Sequence, residues 1–432
     1  MADLPWKTLP AEQFCLSVRD GTHDSPKPAL AGKRLITSRH IIGGRIELGN
    51  AYLISELDFA EINRRSKVDQ WDVLITMIGT VGEPCLVSEI PDFAIKNIGL
   101  FKSKDALTGK WLYYFLRTPH AQSMIKQRTS GTTQAYIALG TLRNFPITAP
   151  TCPDEMRSIV NCLTILDSKI ELNRRMNETL EAMARALFRD WVVDFGPTRA
   201  KMTGIAPYLS PDLWSLFPDS LDDAGKPEGW EAQPLTAFFA IIGGGTPKTS
   251  NPTFWGGPIP WFSVTDTPAQ GSVFVTATEK TITKAGLAGS SARLIAKGTT
   301  IISARGTVGN LAVAGGEMTF NQSCYGLSGS GPVGDCATYL IAQNMVSQLQ
   351  SMAHGSVFST ITRQTFEALS LPMPSPHVLS AFEHAVAPLF EMILANVNES
   401  RTLAQTRDLL LPRLMSGELR VAGAERAAEA VL

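Results

Sequence analysis

A heptad seam that occurs twice constrains this chain more than any other feature. Ile159, Leu163, Leu166, Ile170, Asn173, Asn177, Leu180, Ala184, Leu187 and Trp191 follow one another at alternating steps of four and three. That spacing keeps one stripe of a helix turned toward a partner helix. Phe382, Val386, Leu389, Ile393, Asn396, Ser400, Leu403, Arg407, Leu410 and Leu414 repeat the same steps 223 residues later. Each stripe is therefore expected to cover the other. Antiparallel pairing with Asn173 opposite Asn396 sets Ile159 against Leu410, Leu166 against Leu403 and Leu180 against Leu389. A buried asparagine in such a seam costs stability but fixes register. Arg407 interrupts the second stripe, and Pro388, which lacks a backbone donor, implies a kink or a late start of regular helix there. The alternative is two amphipathic helices buried in separate cores.

The flanks recur as well. Trp6 matches Trp230 and Phe14 matches Phe238. The turn Asp20-Gly21-Thr22 aligns with Gly244-Gly245-Thr246. WDVLITMIGTVGE from Trp71 corresponds to GTTIISARGTVGN from Gly298, a β-branched run followed by a Gly-Thr-Val-Gly turn and a second apolar run, which reads as two strands joined by a tight turn. A helical pattern around Trp111 and another around Cys336 follow. Polar loops, GTTQ from Gly131 and GSVF from Gly355, then lead to Pro150 and Pro374 ahead of the long helices. The expected fold is α+β: two tandem-repeated globular domains joined by two long helices that pair as an antiparallel coiled coil with approximate two-fold symmetry. The boundaries are a first domain at 1–152, a central helix at 153–195, a connector at 196–229, a second domain at 230–375, a C-terminal helix at 376–418 and a tail at 419–432.

Charge permits nucleic acid as a partner once its distribution is considered, although the net charge of the chain is -1. Residues 1–150 carry 18 basic against 14 acidic side chains and residues 226–375 carry 8 against 7, whereas the helical segments are acidic. Nothing near eighteen consecutive apolar residues appears and the start MADLPWKTLP lacks a signal-peptide pattern, so no membrane partner and a cytoplasmic location are expected. The six cysteines are scattered without a C-x-x-C pair and the six histidines form no metal-binding spacing, so neither zinc nor a disulfide frame is expected.

Several segments imitate catalytic motifs. Asn251-Pro252-Thr253-Phe254 resembles the loop by which amino-methyltransferases hold a target amine, but no glycine-rich strand-turn-helix for S-adenosylmethionine accompanies it. Pro153, Asp154, Asp167 and Lys169 mimic a nuclease spacing that belongs on a strand near a metal, whereas here they ride a heptad helix. The Gly-Thr-Val-Gly turns lack the helices of a KH clamp and the Gly-Lys-Ser/Thr of a P-loop. No catalytic residue is expected.

The residues suited to DNA sit in loops. Thr22, His23 and Lys27 follow the first turn, and Arg64, Arg65 and Lys67 form the densest basic cluster. Thr132, Thr133 and Gln134 occupy a polar loop. In the second copy Thr246, Lys248, Thr249, Ser250 and Asn251, with Trp255 beyond, combine phosphate-contacting and base-reading side chains. Arg305, Asn321, Gln322, His354 and Ser356 complete the set.

GGGTPKTSNPTFWGGPIPWFSVTD (243–266) resembles the start of a target-recognition domain in the specificity subunit of a type I restriction-modification enzyme. Glu228-Gly229-Trp230, ARGTVG (304–309), Asn321-Gln322, LNRRMNETLEAMARALFRDWVVDF (172–195) and LLLPRLMSGELRV (409–421) resemble that family's segments in the right order. The first copy has Asp20-Gly21-Thr22-His23-Asp24 where the second has the fuller Gly-Gly-Thr-Pro signature. The resemblance implies a non-catalytic subunit whose two recognition domains each read one half of a bipartite, asymmetric sequence in double-stranded DNA. It further implies helices that set the spacing and seat two methyltransferase subunits. S-adenosylmethionine would belong to those subunits, and ATP and magnesium to restriction subunits, with no cofactor bound by this chain. Two rivals stand beside it: an intrinsic adenine methyltransferase, and a coiled-coil scaffold without sequence preference.

Overall fold

The structure, a computed structural model, describes residues 6–131, 135–269, 271–354 and 360–421. Both long helices open on a proline, where a missing N–H costs nothing because that donor lies outside the hydrogen-bond ladder. They run Pro153–Phe188 and Pro376–Met415. Helix continues through Pro388, so its regular part does not start there. Contacts divide the chain into two units, 1–168 with 403–432, and 169–402.

In the first unit Ile159, Val160, Leu163 and Leu166 are buried, as are Leu403, Leu410, Leu411 and Leu414. Arg407 is no interruption: its Nη1 donates to Asp167 Oδ1 at 2.6 Å. The other carboxylate oxygen accepts from Tyr114 Oη at 3.0 Å and Arg117 Nη1 at 3.1 Å. The nuclease-like Asp167 is thus a structural tie between helix pair and globular domain. In the second unit Phe188 and Trp191 pack edge-on against Phe382, with ring centroids 5.8 and 5.7 Å apart. Leu180, Leu187 and Leu389 border the same core, which also holds Val386 and Ile393. Early residues of one helix meet late residues of the other in both units, so the pairing is antiparallel as expected.

The expected facing of Asn173 and Asn396 is present, with Asn173 Nδ2 donating to Asn396 O at 3.5 Å, while the side-chain bonds around it are staggered by one turn. Asn396 Nδ2 donates to Asn177 Oδ1 at 2.8 Å rather than to Asn173. Asn173 Nδ2 reaches Ser400 Oγ at 3.2 Å and Glu399 Oε2 at 2.7 Å. Knobs fill holes between layers, so a heptad residue meets two partners one turn apart. The two bonds, 173 to 400 and 396 to 177, are images of one another under the repeat. Asn173, helped by Lys169 at 3.2 Å, holds the Glu399 carboxyl below its ordinary value of 4.5. A depressed folded pKa contributes stability above the unfolded pKa that is lost as pH falls through the folded value. The effect is small because Glu399 is 38% exposed. Asn173→Leu is expected to flatten the fall of the unfolding midpoint below about pH 4.5. An unchanged acid profile would contradict this role.

The C-terminal helix is, among the described residues, the one helix long and apolar enough to cross a bilayer, with a mean hydropathy of 1.5 over its most apolar window. Val378, Phe382, Val386, Phe390 and Ile393 are nevertheless buried in protein.

Each unit repeats one sheet plan. In the first, four antiparallel strands lie in the order Ser17–Asp20, Ile98–Lys102, Val73–Thr76, Pro84–Leu86. In the second the order is Phe239–Gly243, Cys324–Gly329, Thr300–Ser303, Leu311–Ala314, with Phe274–Val275 added at the edge. A smaller sheet in each contains one parallel pair, Lys33–Ile36 with Phe93–Ile95 and Trp255–Phe262 with Thr319–Phe320. Both Gly-Thr-Val-Gly segments join antiparallel strands, as their flanks require. The helix around Trp111 breaks at Thr118-Pro119 into Ala106–Arg117 and Pro119–Gln127, whereas its counterpart Asp335–His354 is continuous. A strand pair closes the base of each domain, Trp6–Pro10 with Pro146–Pro150 and Ala232–Pro234 with Ser370–Pro372.

Candidate nucleic-acid interface

The turn after the first strand of each domain is fixed by backbone bonds that correct the sequence alignment by one residue. Thr22 N donates to Ile95 O at 3.0 Å, and Gly245 N donates to Phe320 O at 3.0 Å. Ile95 and Phe320 hold the same place in the two parallel pairs, beside Ile36 and Phe262. Gly21 therefore corresponds to Gly244, Thr22 to Gly245 and His23 to Thr246. A Cβ on Gly21 would lie 2.4 Å from Ile95 O, and one on Gly244 would lie 2.1 Å from Asn321 O. Only glycine lets these chains approach so closely.

His23 Nδ1 and Asn97 Oδ1 stand 2.8 Å apart. At the corresponding place Thr246 Oγ1 donates to Gln322 Oε1. The second backbone register agrees, since Lys96 N donates to Ile36 O at 2.8 Å and Asn321 N to Phe262 O at 2.9 Å. Both domains thus present one polar pair across the same two loops, with different side chains.

In the first domain His23 also approaches Asp20 Oδ2 at 3.1 Å, and Asp20, buried, accepts from Arg65 Nη2. Residues far apart in sequence therefore meet. Arg64 pairs with Glu61 at 2.6 Å on its own helix, and Lys67 with Asp69 at 3.1 Å. Thr22 Oγ1 accepts from Asp24 N at 3.1 Å, and Lys27 is exposed. In the second domain Lys248, Thr249 and Ser250 form an exposed loop. Trp255 stacks edge-on against Trp261 at 5.1 Å and its Nε1 donates to Lys248 O at 3.3 Å. Asn251 Oδ1 accepts from Thr253 N at 3.2 Å and Thr253 Oγ1 at 2.8 Å, so it caps its own turn. Asn321 Oδ1 accepts from Ser323 N at 3.0 Å while Gln322 and Arg305 are exposed. Thr132, Thr133, Gln134, Ser356 and the side chain of His354 lie outside the described residues.

Sequence reasoning missed Asn97, Asp20, Arg19 and Arg143. Asn97 sits at φ 54°, and an asparagine beside apolar strands carries no visible mark of that turn. Burial pushes the thiols of Cys15, Cys85 and Cys324 up to about 12, which makes them poor nucleophiles. No metal-holding cluster of His, Cys, Asp or Glu occurs among the described residues.

The profile of the type I restriction modification DNA specificity domain matches residues 45–182 and 227–377. The chain belongs to that specificity family. Its two matched segments fall one in each half of the repeat. A curated member, the type I restriction enzyme HindI specificity subunit of Haemophilus influenzae, is 28% identical over 341 residues, covering 68% of this chain and 73% of that protein. The MjaIX specificity subunit of Methanocaldococcus jannaschii is 25% identical over 331 residues, covering 74% and 71%. A crystal structure of a type I restriction-modification S subunit from M. genitalium superposes with a TM-score of 0.55 at 14% identity, covering 96% of this chain and 97% of that one. The likeness of fold extends over nearly the whole specificity subunit.

Proposed function

We propose that this specificity subunit reads a bipartite, asymmetric sequence in double-stranded DNA, one half with each domain, and does no chemistry itself. The carrying observation is the pair of corresponding sites, His23 with Asn97 and Thr246 with Gln322, set by the same backbone bonds. One frame with different side chains is what two readers of different half-sites need, because direct readout depends on which donors and acceptors reach the base edges. A scaffold without sequence preference gives no reason for such paired exposed polar groups.

The long helices set the distance between half-sites and dock two methyltransferase subunits. Those subunits supply S-adenosylmethionine chemistry, and restriction subunits supply ATP and magnesium; this chain holds none of these. A member of this complex works on cytoplasmic DNA, and the apolar C-terminal helix serves the protein core rather than a membrane.

Co-expression with its methyltransferase subunit in a methylation-free host, followed by mapping of N6-methyladenine, should give a two-part motif with a fixed gap. Methylation by this chain alone would favour an intrinsic enzyme. A stable complex that methylates nothing would favour the scaffold.

A further inference from the structure

The first domain contains a cationic cleft. It measures about 390 Å³ and is lined by Arg19, Asp20, Arg64, Arg65, Leu139 and Arg143. Asp20 is bound to Arg65, and Arg64 to Glu61. Arg19 and Arg143 are differently placed. Arg19 donates to Arg65 O at 2.8 Å and Ser17 Oγ at 3.1 Å, and Arg143 Nε donates to Val18 O at 3.3 Å. Among the described residues neither guanidinium meets a carboxylate, and both side chains are exposed. Backbone carbonyls orient them without neutralising them, so about two positive charges face one cleft.

The repeat supplies an internal comparison. Strand register sets Arg19 where Ile242 stands and Asp20 where Gly243 stands. Ala11 N bonds Phe145 O at 2.8 Å and Leu235 N bonds Leu369 O at 2.9 Å, so Arg143 corresponds to Glu367. Two arginines of one copy are thus an isoleucine and an acid in the other. A helix-end arginine is ordinarily a solvated charge that favours the helix dipole. Arg143 ends its own five-residue helix, Leu139–Arg143, and so suits that dipole, but its Nε is also turned to Val18 O at the cleft, and Arg19 lies on a strand where no helix dipole applies.

We infer that this cleft binds a backbone phosphate of DNA, anchoring the first domain. The inference rests on the DNA-reading function proposed above. Guanidinium groups suit a phosphate oxyanion through paired donors, and the contact would strengthen binding without choosing a base.

The test is DNA affinity of the full complex with methyltransferase subunits, measured against salt concentration, for wild type, Arg19→Gln and Arg143→Gln. Each lost phosphate contact should lower the slope of log K against log salt by about one, and weaken binding about fivefold at physiological salt. The bases of the methylated motif should stay the same. Arg143→Lys should recover most of the slope, and Ile242→Gln in the second domain should leave it unaltered. Unfolding midpoints within the wild-type range show that weakened binding is not misfolding. A wild-type motif with unchanged slopes in both arginine variants would overturn the phosphate site alone. Altered slopes in a complex that gives no two-part motif would sustain it while removing the bipartite reading. If slopes are unchanged but inorganic phosphate raises the unfolding midpoint of wild type and not of the variants, the cleft takes a free anion and the DNA assignment falls.

Discussion

One heptad inserted into the central helix alone, between Leu166 and Asn173, is expected to abolish site-specific methylation. The same insertion matched by one between Ser400 and Leu403 should restore methylation at a motif with a longer gap. The bonds that anchor each end state why. Asp167 is tied to Arg407 at 2.6 Å, and Asn173 to Ser400 at 3.2 Å. A seven-residue insertion lengthens one side of this frame by about 10 Å at about 1.5 Å per residue. The opposite helix keeps its length between Ser400 and Arg407, so both ties cannot hold. Either the carboxylate and arginine of the first unit or the asparagine layer of the second must break, and the buried leucines beyond the break shift by two turns. Matched insertions lengthen both sides equally and keep every heptad position on the seam. The gap in the methylated motif should then grow by up to about three base pairs at about 3.4 Å each. An unchanged gap in an active doubly inserted protein would show that the helices are not the ruler.

The helices were legible because heptad spacing is a local, repetitive signal that survives in one sequence. Their stagger was not. Asn173 faces Asn396 as expected, but Asn177 lies on the same stripe, and spacing alone does not say that the Asn396 side chain turns to Asn177 while its carbonyl takes Asn173; knobs-into-holes packing decides it. Arg407 illustrates the same limit in reverse. It reads as a flaw in an apolar stripe, and only the return of Tyr114 and Arg117 from the globular domain to Asp167 turns it into a tie.

The candidate interface was legible in part. Glycine-rich turns and clustered cations announce exposed loops, which placed Thr246, Gln322, His23 and Arg65 among the candidates. Their partners were hidden because Asn97, Asp20 and Arg143 come from strand ends and a short helix whose proximity depends on sheet order. The one-residue error in aligning the turns has a similar origin. Matching Gly-Thr with Gly-Thr maximises identity, whereas backbone bonds place Gly21 with Gly244 and leave the threonines out of step.

Gly244→Ala should separate the two half-sites functionally. The added Cβ would lie 2.1 Å from Asn321 O and 2.5 Å from the Phe320 ring. A carbonyl of the neighbouring loop cannot rotate aside, so the turn must move away from that loop, with a stability loss of about 1–3 kcal/mol by analogy with overpacked cores. The displacement falls on Thr246 and Gln322, which face one another across this contact. Misplacement of a positioning group by about 1 Å can cost about a hundredfold in rate, so methylation should slow by that order. Gly21→Ala, whose Cβ would meet Ile95 O at 2.4 Å, should do the same to the first half-site. Gly243→Ala is the control, since nothing lies within 4 Å of its Cβ position. Binding to duplexes with one half-site scrambled distinguishes the effects. The Gly244→Ala complex should become insensitive to scrambling of one half and remain sensitive to the other, with the halves exchanged for Gly21→Ala. Equal loss of sensitivity to both halves in either variant would mean that the domains do not read DNA independently, and the corresponding pairs would then be parts of one composite site.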